Sequence, residues 1–574
     1  MIGSSSRRNF LKAAGAVGVA VSVMPRMLFG GGIVPPVKHP NVIYLFSDEH
    51  RYQSMSFTEM PALKTPNMER MAKDGTSFEY AVSINPVCVP HRCMLLSGQW
   101  PHRTGAVENS GGLAPWDKTL GHVFHDAEYV TGYTGKWHAG GVPEKAGFDW
   151  HILWGDSNDH WNSFWTDLHG SGKTEKCTTY QPVKMTDQAL EFMDQNAAGR
   201  KPFFLMVSWN PPHANFKDAP EEKKALYPDA MALPWRGNAE ERSKAKWWHD
   251  YQGYHAHITA VDEQIGRIYE QLKKLGILDN TIVIYSADHG SMMNSHGMGN
   301  KRHAEDESCR VPFLVTGPGV PSGQVRKELF GTIDIFPTLC SLAGVSIPAF
   351  CDGQDFSANI YNRPSICDPE SQLLMHVAMA KSAKKSGIAP TPESVEKGNA
   401  TTPFFRGVRG RRYTYTVGTS GESQLWDNLT DPLQQKNLIN DPTCDEVKKK
   451  MRSELDAWLA KAEYPFLNEA YRQMPLPKSI LQQAVDRAGN LPLHHIITRL
   501  KLSPEQYAAI PAIRSRYYGE DGKPKDRTAG KVSWERAQQA VARDVRDILG
   551  DEQKNLFDKM MAEGLVKEAN SNEN

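Results

Sequence analysis

Short, largely apolar runs alternate along this chain with longer stretches in which apolar residues recur every third or fourth position. Residues 41–46, 203–209, 281–286 and 311–316 are runs of strand length, and their lack of alternation predicts strands buried on both faces. Within residues 251–274, Ile258, Val261, Ile265, Ile268 and Leu272 follow one helical face, and Gly276 stands where a C-cap would end it. The alternation predicts an α/β fold, a large mostly parallel sheet flanked by helices. In such sheets ligands sit at the carboxyl ends of the strands. Those ends here are Asp48, residues 209–213, and Asp288 with His289.

Beyond the main sheet, residues 404–417 and 424–431 read as antiparallel strands with turn signals, which predicts a smaller C-terminal antiparallel α+β subdomain. From about residue 467 the chain is polar and helical. The expected organisation is an export signal over 1–32, a main domain over 38–370, a subdomain over 371–466 and a helical extension over 467–574.

Composition narrows the picture. The chain has 574 residues, 66 Lys+Arg against 66 Asp+Glu and 40% hydrophobic residues, which excludes disordered, collagen-like and small disulfide-scaffold proteins. A zero net charge also argues against nucleic-acid binding, which draws on an excess of Lys and Arg. The eight cysteines are few for this length, so the apolar core must hold the fold; their pairing is left open.

At the start, SRRNFLK over residues 6–12 precedes a weakly apolar stretch of Ala, Gly and Val that stops near Pro25. That run is shorter than the roughly 18–20 residues a membrane span needs. It resembles a twin-arginine export signal, which implies the twin-arginine machinery as a partner, a periplasmic or secreted protein, and no stable membrane span.

Candidate chemistry follows the strands. Asp48 and Glu49 close the first, and Asp288, His289 and Gly290 close another. Oxygen-rich ligands at such places favour Ca²⁺, Mg²⁺ or Mn²⁺, and a histidine leaves transition metals open; a solvated turn is the plain alternative. In Gly135-Lys136-Trp137-His138, alternation puts Lys136 and His138 on one side of an extended chain, suited to holding one anion. Asn210-Pro211-Pro212-His213 presents an imidazole able to protonate a leaving alkoxide near neutral pH. Cys88-Val-Pro-His-Arg92 runs into a helical stretch and on to Arg103-Thr104-Gly105; a lone cysteine is more often a small core residue.

Together these blocks resemble the formylglycine-dependent sulfatases, the type I sulfatases of the alkaline-phosphatase superfamily, over roughly residues 40–465. The resemblance implies that a formylglycine-generating maturase oxidises Cys88, that Asp48, Glu49, Asp288 and His289 hold one divalent metal with calcium the first choice, and that Lys301 is a second sulfate-binding lysine. It further implies that Arg92, Lys136 and Lys301 neutralise the sulfonyl oxygens, that His213 protonates the departing alcohol, and that His138 helps expel sulfate. Glu49 and His91 stand where Asp and Ser are commoner in the family.

The function implied is hydrolysis of a sulfate monoester, with a sulfated carbohydrate as substrate because the protein is exported. Two alternatives stand beside it: a formylglycine-dependent phosphate or phosphonate monoester hydrolase, and a non-catalytic glycan-binding protein with Cys88 unmodified. The aromatic segments 150–165 and 235–248 are candidates for a sugar site, although aromatic residues also fill cores. In the extension, LSPEQ at 502–506 and LGDEQ at 549–553 resemble the LTXXQ motifs of small periplasmic stress proteins; ordinary capped helices are the alternative.

Overall fold

The computed structural model describes residues 39–462 except 108, 110, 114–116, 156, 168–172, 229–236, 240, 365, 377–404 and 419–420, the side chains of 241–249 being also outside it, together with isolated stretches between 506 and 558. The export signal, most of the extension and the aromatic side chains of the segment 235–248 therefore lie outside the described residues.

A ten-stranded sheet forms the centre, in the spatial order Gln324–Arg326, Thr76–Phe78, Phe313–Thr316, Thr281–Ala287, Asn41–Asp48, Phe203–Pro212, Val130–Gly135, Trp150–Trp154, Ser163–Asp167 and Lys173–Cys177. Its five middle strands, from Thr281–Ala287 to Trp150–Trp154, run parallel. The apolar runs are continuous because both faces are covered. Val42, Tyr44 and Phe46 join one core with Phe204 and Ile282, against Val89 and Leu96 of the helix Cys88–Ser97 and Leu339 of the helix Ile335–Leu342. Ile43 and Leu45 join the other with Leu205 and Val283, against Phe192 of the helix Gln181–Asn196 and Ile258, Val261, Ile265, Ile268 and Leu272 of the helix Glu241–Lys274.

The run 311–316 is not one strand. Pro312 lacks the N–H a ladder needs, so Arg310–Val311 pairs in a separate three-stranded ribbon while Phe313–Thr316 pairs antiparallel with Thr281–Ala287.

A four-stranded antiparallel sheet follows, in the order Ser371–His376, Phe405–Gly410, Tyr413–Gly418 and Gly421–Asp427. The helix Asp445–Lys461 covers it with Met451, Leu455 and Leu459, which share a core with Leu373, Val408 and Tyr415 and also with Met94 and Trp100. The small sheet thereby buttresses the helix that begins at Cys88.

In the extension, the last residues of the two LTXXQ-like motifs pair with each other. The Gln506 amide donates to Gln553 Oε1 at 2.8 Å and to the Ile548 carbonyl at 2.8 Å, and the Gln553 amide returns a bond to Gln506 Oε1 at 3.3 Å. No helix among the described residues is long and apolar enough to cross a membrane.

Candidate active site

Cys88 is the first residue of the helix Cys88–Ser97, after Val87 in extended conformation. The local pattern has a physical reason. Pro90 falls in the first turn, where a backbone N–H has no helical partner to lose. Arg92, four residues after Cys88, lies one turn on and therefore on the same side. His91 turns elsewhere: its Nδ1 lies 3.0 Å from Ser83 Oγ and 3.1 Å from Thr332 Oγ1, and Ser83 Oγ donates to the Asp288 carbonyl at 2.6 Å.

Asp48 and Asp288 meet because their strands are adjacent and parallel, ending in register. One ligand atom each from Asp48, Cys88, Asp288 and His289 lie within 4.8 Å of one another, all four residues buried. His289 Nδ1 donates to the Gly290 carbonyl at 2.8 Å, which leaves Nε2 facing Cys88 Sγ at 3.3 Å, Asp288 Oδ1 at 3.5 Å and Asp48 Oδ1 at 3.7 Å. Two buried carboxylates and an imidazole lone pair converging in this way fit a divalent cation. Burial and the neighbouring Asp48 push the Asp288 carboxyl up to about 6. Burial opposes the His289 imidazolium, but Asp288 and Cys88 together outweigh it and raise His289 to about 8.

Arg92 ties the carboxylates together. Its Nε lies 3.1 Å from Asp288 Oδ2 and a terminal nitrogen 3.1 Å from Asp48 Oδ2, while the other terminal nitrogen donates to the Lys136 carbonyl at 2.9 Å and Ser208 Oγ at 2.8 Å. Lys136 Nζ reaches Asp48 Oδ2 at 2.7 Å and Asn210 Oδ1 at 3.1 Å. Lys301 Nζ donates to Cys88 Sγ at 3.1 Å and lies 3.5 Å from Glu49 Oε2. Burial works against both ammonium groups, yet their anionic neighbours, Asp48 first for Lys136 and Cys88 first for Lys301, raise both above the usual lysine value. Burial and Asp48 push the Cys88 thiol up, but Lys301, Lys136 and His289 outweigh them and hold it well below its ordinary value.

Gly135 has to be glycine. Its φ is +110° and a Cβ there would lie 2.2 Å from the Ser208 carbonyl, to which Lys136 N donates at 3.0 Å. That close approach carries Lys136 into the cluster. His138 follows at φ 43°, half-buried, and its Nδ1 has no hydrogen-bond partner among the described residues.

Glu49 and His213 form the far edge. Glu49, at φ 72°, has its Oε2 3.5 Å from His213 Nε2, and one ligand atom each from Asp48, Glu49 and His213 lie within 4.8 Å of one another. His213 Nδ1 donates to the Ala214 carbonyl at 2.8 Å, so Nε2 is the atom left for chemistry. Burial lowers the His213 imidazole, and Lys301 lowers it further. The structure thus gathers Asp48, Cys88, Arg92, Lys136, Asp288, His289 and Lys301 into one group, with Glu49 and His213 beside it. Ser208 and Asn210 belong to no motif; their one mark in the sequence is that they are polar residues at alternate positions of an otherwise apolar strand.

Of the aromatic segment 150–165, Trp154 and Trp165 are spent in the core, whereas Phe164 is 54% exposed.

The profile of the family described as Sulfatase matches residues 40–345, and that of the twin-arginine translocation pathway signal sequence matches residues 4–24. The latter marks the chain for export, to the periplasm or beyond. An ulvan-active sulfatase of Formosa agariphila is 32% identical over 445 residues, covering 75% of this chain and 83% of that protein. An endo-4-O-sulfatase of Bacteroides thetaiotaomicron is 28% identical over 497 residues, covering 76% and 95%. A solved 4S-sulfatase structure, from work on glycosaminoglycan metabolism by Bacteroides thetaiotaomicron, superposes with a TM-score of 0.67 at 27% identity, covering 77% of this chain and all of that one.

Proposed function

The chain belongs to the sulfatase family, whose reaction is sulfate ester hydrolysis, and from that premise we propose that, once exported, it removes sulfate from a sulfated carbohydrate using the residues gathered around Cys88. The observation that carries this reading is that Cys88 Sγ stands 3.1 Å from the Lys301 ammonium, 3.3 Å from His289 Nε2 and 3.6 Å from Asp48 Oδ1. A nucleophile there has an anion-binding lysine and cation ligands both within reach. The names of relatives, ulvan-active and endo-4-O-sulfatase, support a carbohydrate substrate.

Asp48, Asp288 and His289 are the residues to hold a divalent cation, with calcium our choice, and the cation would supply charge neutralisation and acidify an oxygen nucleophile. Formylglycine derived from Cys88 by a maturase would supply that oxygen as the hydrated aldehyde. Everything else is done by the chain itself. Lys136 and Lys301 bind the sulfuryl oxygens and meet the charge that builds on them. Arg92 does so at one remove, by fixing both carboxylates. His213 Nε2 gives its proton to the leaving sugar oxygen, since Nδ1 is engaged by Ala214. His138 takes up the proton released when sulfate departs.

The test is expression with a formylglycine-generating maturase. The tryptic peptide holding Cys88 is expected to be lighter than the thiol form by roughly 18 Da, and the modified protein is expected to release sulfate from at least one sulfated polysaccharide, with ulvan and glycosaminoglycans tried first. Fully modified protein that frees no sulfate from any sulfated glycan would contradict the reading.

A further inference from the structure

Behind Lys136 lies a polar chain that the reaction as described does not use. Asn210, near the end of the strand Phe203–Pro212, accepts from Lys136 Nζ at 3.1 Å and places its amide nitrogen 2.9 Å from His160 Nε2. His160 Nδ1 lies 2.7 Å from Asp218 Oδ1, and the His160 backbone N–H donates to Asp218 Oδ2 at 3.0 Å. On the far side of Asp218, His257 Nε2 lies 3.4 Å from Oδ1 and its Nδ1 2.6 Å from the Tyr180 hydroxyl. His160, His257 and Asn210 are all buried.

Donor chemistry fixes every proton in this chain. A lysine ammonium only donates, so the Asn210 oxygen must face Lys136 and its NH₂ must face His160. His160 Nε2 must then accept, which leaves the ring's single proton on Nδ1, donated to Asp218. The same logic speaks against a metal among His160, Asp218 and His257, although their ligand atoms also lie within 4.8 Å of one another. A cation on His160 Nδ1 would shift the proton to Nε2 and set it against the Asn210 NH₂. Flipping that amide would only move the conflict to Lys136. Burial pushes Asp218 up, but hydrogen bonds from His160 and His257 outweigh it and hold its carboxyl below the usual range.

We infer that His160, anchored by Asp218, is a positioning residue that holds Lys136 on its sulfuryl-binding line through Asn210. This rests on the reading of Lys136 given above. A lysine has a long flexible stem, and two fixed acceptors, Asp48 Oδ2 and Asn210 Oδ1, define its ammonium better than one. Without His160 Nε2, Asn210 would have a buried N–H without an acceptor and every reason to rotate.

Two variants separate the contacts. His160→Gln places an acceptor near the former Nε2 and keeps the Asn210 bond, whereas His160→Asn reaches only the Nδ1 position, keeping Asp218 and losing Asn210. Expected is kcat/KM within about threefold of wild type for His160→Gln and a loss of roughly 10- to 30-fold for His160→Asn, the span of one lost buried hydrogen bond. In a Lys136→Ala background the His160→Asn loss is expected to shrink below about threefold, because the route to the substrate is gone. An undiminished loss in that background, or the opposite order of the two variants, overturns the proposal. Crystal structures of both decide it independently of turnover: Lys136 Nζ is expected to keep Asn210 Oδ1 in His160→Gln and leave it in His160→Asn, and retention in both refutes the brace. A wild-type enzyme that frees no sulfate would instead refute the reading of the site, with the two crystal structures still deciding the brace.

Discussion

Replacing Arg92 by Met tests whether the site is held by charge balance. Arg92 is buried between Asp48 and Asp288 at 3.1 Å each. Asp48 keeps a second cation when the guanidinium goes, because Lys136 Nζ stands 2.7 Å away. Among the described residues Asp288 keeps as a cation His289, whose Nε2 lies 3.5 Å off, and two backbone N–H donors on Oδ1, those of Glu49 and His289. Breaking a buried pair by deleting one partner costs about 3–5 kcal/mol. The Lys136 carbonyl and Ser208 Oγ lose a donor as well, which moves the expectation to the upper end of that span. Met has a similar length, so little of the loss comes from a cavity. Urea denaturation in chelator is expected to show the full loss. Excess calcium is expected to recover part of it and to stabilise the variant more than the wild type, since a cation would replace the missing charge beside Asp288; a ligand at 100 times its Kd is worth about 2.7 kcal/mol. A loss below about 1 kcal/mol in chelator, or one that calcium leaves unchanged, would mean that charge balance does not hold the site together.

Two other outcomes are expected. His213→Ala is expected to lower kcat/KM by about 10²- to 10⁴-fold on a sugar sulfate, whose alkoxide needs a proton, and by less than about tenfold on a nitrophenyl sulfate, whose phenolate does not; equal losses on both would rule out His213 as the leaving-group acid. Burial keeps His257 neutral, with a folded pKa of about 4, against about 6.5 unfolded. The unfolded chain therefore binds the extra proton, so this contribution is present above pH 6.5 and is lost as pH falls toward 4. His257→Gln lacks it, and the stability gap between wild type and variant is expected to narrow by about 2 kcal/mol from pH 7 to pH 5; parallel unfolding curves would argue against it.

What could be read in the sequence follows from what is local. The strands at 41–46, 203–209 and 281–286 are legible because a strand buried on both faces writes itself as an unbroken apolar run. Asp48, Asp288 and His289 are legible because the carboxyl end of such a strand is where chemistry gathers. The helical stretch after Cys88 is legible too, whereas the close approach that requires Gly135 at φ +110° is not, since the sequence reads there as extended chain. The division of labour between the basic residues is set instead by distances between separate segments. Arg92 reads alone as one more anion binder, yet both neighbouring carboxylates engage its guanidinium. His160 and Asp218 stand far from Lys136 in sequence, and only the fold sets Asn210 between them. Glu49 is adjacent to Asp48, yet its Oε2 stands 3.5 Å from both His213 Nε2 and Lys301 Nζ, a pairing that no residue pattern announces for a glutamate.

The same charges bear on which ester the site accepts. Asp48, Glu49 and Asp288 carry three negative charges, and Arg92, Lys136 and Lys301 carry three positive ones, so the side chains alone come close to neutrality. A bound divalent cation leaves an excess of two positive charges. An ionised oxygen nucleophile takes up one, and a sulfate monoester, with its single charge, takes up the other. A phosphate monoester brings nearly two charges at neutral pH and leaves the filled site negative. One unmatched charge about 5 Å from its neighbours costs about 3 kcal/mol at an effective dielectric of 20, or roughly two orders of magnitude in kcat/KM. Sulfate and phosphate esters of one phenol should therefore differ by about 100-fold in favour of sulfate, and raising the pH through the second phosphate ionisation should widen the gap. Equal turnover of the two esters, or a gap that closes as the phosphate ionises, would mean that something other than this charge count selects the substrate.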